Sequence, residues 1–450
     1  MIPIAHAPGH FYIGENESLD KAICAEVSAE YLQVVSSEDY ERYSDFGVPA
    51  WFRNRENYQS IIQGSYMDIM PMTAEVIPSL TCPFRCNQCS YRPQKEDLGI
   101  WDGRGQLSRD NLLMSQAAME TIIDRLAEAG VENIVITGGG EPLSNRDVVL
   151  FGLEDAKAKG MNTCLYSNGY LISDATATQL MSIAPTVIRI SIYGMEEQGF
   201  TAYTGVKATG FGRVFDNIAH LIDAKVSEKA DTQISISFLL HPCMFEHLDL
   251  SSGLDLFGLF TRHIGTNRLQ HISTIRLTPA VDYYDRKQHE LDFFKMIFEK
   301  AEKEISAFAR FGVTLKPYRH RLDDLYKEKE YNACLAAGLY AEVGVDGTMY
   351  QCCERLFMPE YEIGNVLSDT IQDIYKSQPR HDVMTSVNCT IKSCPAVCKP
   401  HEANKQLASI QDNSTVRSQD SFRFTLWYDL LQDMASQDSV VLGRYNPFES

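Results

Sequence analysis

Asn133-Ile-Val-Ile-Thr137, followed by Gly138-Gly139-Gly140-Glu141-Pro142, is the stretch on which the fold turns. Its first half is an apolar, β-branched run that reads as a strand. In its second half, three glycines let the backbone approach a ligand closely, and Glu141 offers a carboxylate to an ammonium group. The same residues would also make a tight strand-to-helix turn whose Glu caps the helix that follows. Upstream, Met119, Ile122, Ile123 and Leu126 recur at helical spacing, with Ser115 as N-cap, Met114 and Met119 as a hydrophobic staple and Gly130 as the stop. Downstream, a helix over Arg146–Lys159 ends at Gly160, and Asn162-Thr-Cys-Leu-Tyr-Ser-Asn-Gly169 is a second strand and turn.

The alternation continues in both directions. Ala74–Leu80 reads as a short strand, and Asp174–Ser182 as a helix. Thr186–Tyr193 is a strand, Phe211–Lys225 a helix, and Gln233–Leu240 and Thr274–Thr278 are strands, with a helix over Glu290–Arg310. Six strands with interposed helices predict a parallel sheet covered by helices, either doubly wound or a partial barrel. Ligands gather at the carboxyl ends of such strands, where the motifs fall. We divide the chain into an N-terminal extension (1–75), the alternating unit (76–320), a cysteine-rich unit (321–408) and a C-terminal segment (409–450) with an apolar helix over Phe424–Met434.

Composition narrows the class. The 450 residues carry 41 basic and 60 acidic side chains, a net charge of −19, with 44 % apolar and 22 % charged residues. That is a soluble globular composition with enough chain for a large core. The acidity argues against nucleic acid or anionic membranes as partners. No window approaches the ~18 apolar residues of a membrane span, and the first residues lack a secretory signal, so the expected location is cytoplasmic.

Cysteine is the informative residue. Of 12 in the chain, Cys82, Cys86 and Cys89 lie within eight residues and six lie between Cys334 and Cys398. Bunching in a large, core-rich chain points to metal ahead of disulfides. Cys164 and Cys243, in apolar runs, read as plain buried residues. The C-x3-C-x2-C loop is one ligand short of either a closed zinc site or an all-cysteine cluster. By spacing alone, a fourth Cys could close it, or one iron of a 4Fe–4S cluster could stay open to a chelating ligand. The second bunch leaves disulfides, zinc and an iron–sulfur cluster all open. None of the 11 His shows HExxH or H-x-x-H spacing, and the run Glu299–Glu304 reads as a solvated helix face.

The cluster loop followed by Gly139-Gly140-Glu141 at the end of the second strand resembles the radical S-adenosylmethionine (SAM) superfamily over roughly residues 76–320. That resemblance implies a partial (β/α)6 barrel in which Cys82, Cys86 and Cys89 hold three irons of a 4Fe–4S cluster and SAM chelates the fourth. Gly139, Gly140 and Glu141 would meet the methionyl ammonium. Ser167 and Asn168 match the polar end of the third strand, and Ser191 a fourth-strand position that contacts SAM. Gln88 stands where relatives carry an aromatic residue, a position that meets adenine through its backbone. Tyr91 is a nearby replacement for that aromatic.

The second bunch, with Gly347-x4-Cys352 and Cys389-x4-Cys394-x3-Cys398, is similar to the auxiliary-cluster extension called twitch or SPASM. Six cysteines imply one auxiliary 4Fe–4S cluster held by Cys334, Cys352, Cys394 and Cys398, with Cys389 in reserve and Cys353 a bystander. The implied activity is reductive SAM cleavage to a 5′-deoxyadenosyl radical and hydrogen abstraction from a ribosomally made peptide, with an electron donor such as flavodoxin or ferredoxin. An aminosugar or similar metabolite is the alternative substrate, and a zinc-stapled or electron-carrier protein the non-enzymatic one. Asp282, Tyr283 and Tyr284 follow the sixth strand at the mouth where substrate would sit, and Arg276 on that strand points either into the barrel or into a core ion pair.

Overall fold

The strand Asn133–Ile136 is buried at all four positions because sheet neighbours flank it and helices cover one face. The computed structural model describes residues 65–89, 112–280 and 288–405, apart from 252, 318–321, 323, 326, 396 and 402, together with Asn57, Ser60, Tyr91 and Ala408. Cys24, Asp282, Tyr283, Tyr284, the helix expected over Phe424–Met434 and most of the N-terminal extension lie outside the described residues.

In chain order the first strands and helices are β1 (Thr73–Val76), α1 (Gln116–Glu128), β2 (Asn133–Ile136), α2 (Arg146–Ala158), β3 (Asn162–Ser167), α3 (Asp174–Ile183) and β4 (Val187–Tyr193). They continue as α4 (Glu197–Thr204), α5 (Thr209–Glu228), β5 (Gln233–Leu240), α6 (Leu256–Ile264), β6 (Ile272–Pro279), α7 (Gln288–Glu302), α8 (Ile305–Ala309) and β7 (Thr314–Pro317). The cysteine-rich part adds β8 (Tyr340–Val343), β9 (Thr348–Tyr350), β10 (Glu362–Asn365), α9 (Ile371–Tyr375) and α10 (Gln378–Cys389). Ser115 caps α1 as its sequence suggests, accepting from the Ala118 N–H at 3.1 Å.

The ten described strands form one sheet in the order β10-β9-β8-β1-β2-β3-β4-β5-β6-β7. Strands β1 to β7 pair in parallel and in sequence, the ladder of a partial barrel. Two features exceed the six strands expected. The short strand β7, whose first residue is exposed, extends the ladder by one. Alternation also does not end at residue 320: β8 returns to the far side of β1 and pairs with it in parallel, Glu342 beside Glu75. Four residues amid turns and cysteines are too short a run to show a period.

The sheet's two faces differ in chemistry. Ile188, Ile190 and Ile192 of β4, Ile234, Ile236 and Phe238 of β5, and Ala74 and Val76 of β1 pack with the helices in one large core. Each of the larger side chains contributes roughly 1.5–3 kcal/mol of burial. The opposite, concave face mixes an apolar cluster of Val135, Cys164 and Val187 with polar and charged side chains. One row runs Glu342, Glu75, Val135, Cys164 and Val187 from β8 to β4. Further along lie Tyr166, Arg189 and Ser235, then Ser191, Ser237 and Arg276. Arg276 is therefore on the concave face, and the Arg189 guanidinium stacks 4.2 Å over the Tyr166 ring. Among the described residues, no helix is long and apolar enough to cross a membrane.

Candidate functional site

The loop after β1 carries Cys82, Cys86 and Cys89, all partly exposed. Phe84, 2 % exposed, anchors it: the ring meets Tyr170, Tyr193 and Phe200 edge-on at 5.4–5.7 Å. The loop backbone is tied to the end of α4, with Arg85 N–H donating to Thr204 O at 2.8 Å and Asn87 N–H to Tyr203 O at 3.0 Å. The Tyr203 side chain hydrogen-bonds the backbone of half-buried Gln88. These contacts fix the course of the loop that carries the three thiols.

The glycine run lies against this loop. Gly140 N–H donates to Ser79 O at 2.9 Å and Glu141 N–H to Thr81 O at 2.8 Å. A Cβ on Gly140 would fall 2.2 Å from the Thr81 carbonyl oxygen, so that position requires glycine, and one on Gly139 would displace the Leu80 and Phe357 side chains, 2.8 Å away. Glu141, 2 % exposed, accepts from Leu143 N–H at 3.2 Å, from the Ser167 hydroxyl at 2.7 Å and from Asn168 N–H at 2.8 Å. Burial pushes its carboxyl from 4.5 up to about 7 against those three donors. The helix-capping reading of Glu141 is thus realised, and with three of about four acceptor positions used, one stays available to a ligand. Asn168 closes the circuit by donating to Cys82 Sγ at 3.7 Å.

Ser191 lies on the same concave face and hydrogen-bonds Tyr193, whose ring touches Phe84. Cys82, Gly140, Glu141, Ser167, Asn168 and Ser191 are therefore one neighbourhood. Two residues that sequence reading missed complete it. Asn217 of α5 donates to Gly169 O at 2.7 Å and Tyr170 O at 3.1 Å, clamping the turn after β3. Arg213 lies 4.3 Å over the Tyr170 ring. A correction concerns Cys243. Cys164 is fully buried as expected, but Cys243 is only partly so, since it lies past the end of β5 beside His241 Nδ1 (2.9 Å) and the Asn87 amide.

Cys334, Cys352, Cys394 and Cys398 line a single cavity with Tyr331, Arg355 and other side chains, although 64 residues separate the first from the last. Donors face the thiols: the Asn404 amide reaches Cys334 Sγ at 3.2 Å and Lys329 Nζ reaches Cys398 Sγ at 3.6 Å. Burial pushes the Cys334 thiol up to about 12, so binding iron there must displace a proton. Cys353 and exposed Cys389 are not part of that lining. Among the described residues, no three His, Cys, Asp or Glu side chains converge as ligands of a single ion.

The two sites are joined by the segment after Cys352. Phe357, with a left-handed φ of 66°, packs on Tyr91 at 6.1 Å between ring centroids and presses on Gly139.

The sequence matches the radical SAM superfamily over residues 76–241 and an iron–sulfur cluster-binding domain, SPASM, over residues 334–400. The chain carries a radical SAM domain followed by a SPASM domain. Its cofactors are those of the two domains, a 4Fe–4S cluster that works with SAM and an auxiliary cluster. Among solved structures, Streptococcus suis SuiB bound to S-adenosylmethionine is 14 % identical, covering 70 % of this chain and 68 % of its own, with a TM-score of 0.52. SuiB bound to its precursor peptide SuiA is 14 % identical over 72 % and 69 %, at 0.51. Native anSMEcpe with bound AdoMet is 14 % identical over 82 % and 100 %, at 0.50. At that identity the likeness is one of fold. No curated protein matches the sequence significantly.

Proposed function

We propose that this radical SAM chain modifies a ribosomally made peptide. Cys82, Cys86 and Cys89 would hold the cluster that binds SAM, and Cys334, Cys352, Cys394 and Cys398 the auxiliary one. When bound, the first cluster supplies the electron that splits SAM into methionine and a 5′-deoxyadenosyl radical, the species that removes a hydrogen atom from substrate carbon. The chain's own residues bind and orient. Gly139 and Gly140 would let SAM approach the backbone, and Glu141, braced by Ser167 and Asn168, would meet the methionyl ammonium. Ser191 and the Gln88 backbone would bind the remainder of SAM. A small reductant such as flavodoxin or ferredoxin would deliver the electron from the cytoplasmic pool.

The observation that carries this reading is the hydrogen-bonded circuit joining Cys82, Asn168, Glu141 and Ser167 beside a glycine turn without room for side chains. The peptide is supported by the fold shared with a protein solved in complex with its precursor peptide. Anaerobically reconstituted protein with dithionite and SAM should form 5′-deoxyadenosine, and Cys89→Ala should abolish it. Undiminished formation in C89A would remove this loop from the chemistry. With the peptide substrate deuterated, label should appear in 5′-deoxyadenosine.

A further inference from the structure

The concave face holds a charge imbalance between the two thiol sites. Glu75 of β1 and Glu342 of β8 are register partners on that face, 4 % and 1 % exposed. Among the described residues one ammonium answers them. Lys399, the residue after Cys398, reaches back across the sheet, pairs with Glu75 and lies 5.5 Å over the Tyr340 ring. Among the described residues, Glu342 Oε2 has no hydrogen-bond partner. On its other side Glu342 is the register partner of Tyr350, two residues before Cys352. Tyr91, on the SAM side, feels both Glu342 and Cys89. Burying an unpaired carboxylate is expensive, and a native chain keeps one where a partner arrives or where it stays protonated.

We infer that Glu342 is the subsite for a cationic group of the substrate, an ammonium or guanidinium, seated between the SAM-binding loop and the auxiliary-cluster cavity. The inference rests on the peptide reading and sharpens it: the residue held at this point in the barrel is basic, a lysine or arginine side chain or a terminal amine. Glu75 is already engaged by Lys399, which leaves Glu342 to receive the incoming charge. The Tyr91 ring, packed on Phe357, forms an apolar wall for the stem of such a side chain.

The test uses the full chain, anaerobically reconstituted and loaded with SAM, and two probes, the lysine and norleucine forms of an N-acetyl amino-acid methylamide. Affinities are read by saturation-transfer NMR. Wild type should bind the lysine probe roughly tenfold or more tightly than the norleucine probe, the scale of a hydrogen bond to a charged group. In Glu342→Gln that preference should collapse. Lys399→Met, which removes the competing ammonium, should bind the lysine probe more tightly than wild type, a gain that damaged folding does not mimic. Equal affinity for the two probes in wild type overturns the inference, as does a preference that survives in iron-loaded E342Q. Should E342Q fail to take up iron, the wild-type preference and the direction of change in K399M decide. Absence of 5′-deoxyadenosine from wild type counts against the radical reading alone, because the charge preference is a binding measurement.

Discussion

Glu141 illustrates how one side chain can serve a fold and a ligand together. Its carboxyl titrates near 7 in the native chain, above its ordinary 4.5, because burial outweighs three donated hydrogen bonds. A raised native value means that the native state holds the proton more tightly than the unfolded chain does. The stabilisation is complete below about pH 4.5 and is lost as pH rises through about 7. Protein without cofactors should therefore lose on the order of 3 kcal/mol from this group across that window, and Glu141→Gln should lose none of it. Urea unfolding at pH 5 and pH 7 measures the effect as the gap between the two proteins, and a gap that does not move with pH would show that Glu141 is ionised throughout. At this scale the sequence displayed the groups whose chemistry depends on near neighbours in the chain, Cys82, Cys86, Cys89 and Gly139 to Glu141. It did not display Asn217 or Lys399, whose partners lie 48 and 324 residues away, nor the left-handed backbone of Phe357, a conformation costing roughly 1–2 kcal/mol that only a packed structure imposes.

Elements were legible where their period was long and were missed where it was short. The apolar spacing of α1 and the capping Ser115 gave its bounds almost to the residue, and β2 to β6 appeared as apolar runs of strand length. The helix expected over Glu290–Arg310 is instead two, because the chain turns at Lys303–Glu304 between α7 and α8. A polar solvated face looks the same in one helix as in two. The auxiliary region depends on α10 in a way no pattern announces. Arg380, fully buried, stacks 4.2 Å over Tyr375, bonds the Tyr375 carbonyl, donates to Met67 O at 3.1 Å and reaches Gln351 Oε1 at 3.2 Å, next to Cys352. Arg380→Ala strands those acceptors and opens a cavity, and should cost about 3 kcal/mol or more. Arg380→Lys should recover little, since an ammonium cannot span the same fork of acceptors. Thermal unfolding of the three proteins would show it, and an unshifted midpoint in R380A would contradict the role.

Across the whole molecule, two sets of thiols lie on one sheet, and their occupancy can be counted. Reconstituted wild type should carry about eight irons, enough for two 4Fe–4S clusters. Joint replacement of Cys334 and Cys352 should leave about four, and about four irons with one zinc in wild type would recast residues 334–398 as a structural staple. The parallel sheet and its helices were readable because their signals are local repeats. Its closing neighbour was not, because β8 reaches β1 from more than 260 residues away.

That distance has a consequence in time. A ribosome releases β1 and Cys82, Cys86 and Cys89 long before it makes β8, so throughout that interval one edge of β1 lacks its partner. Pairing at such separation is slow, and an open edge invites association with other chains. A nascent chain halted near residue 320 should therefore be more prone to aggregate than the finished one. Delivery of iron to the early loop would meet a chain whose sheet is still short of its last neighbours.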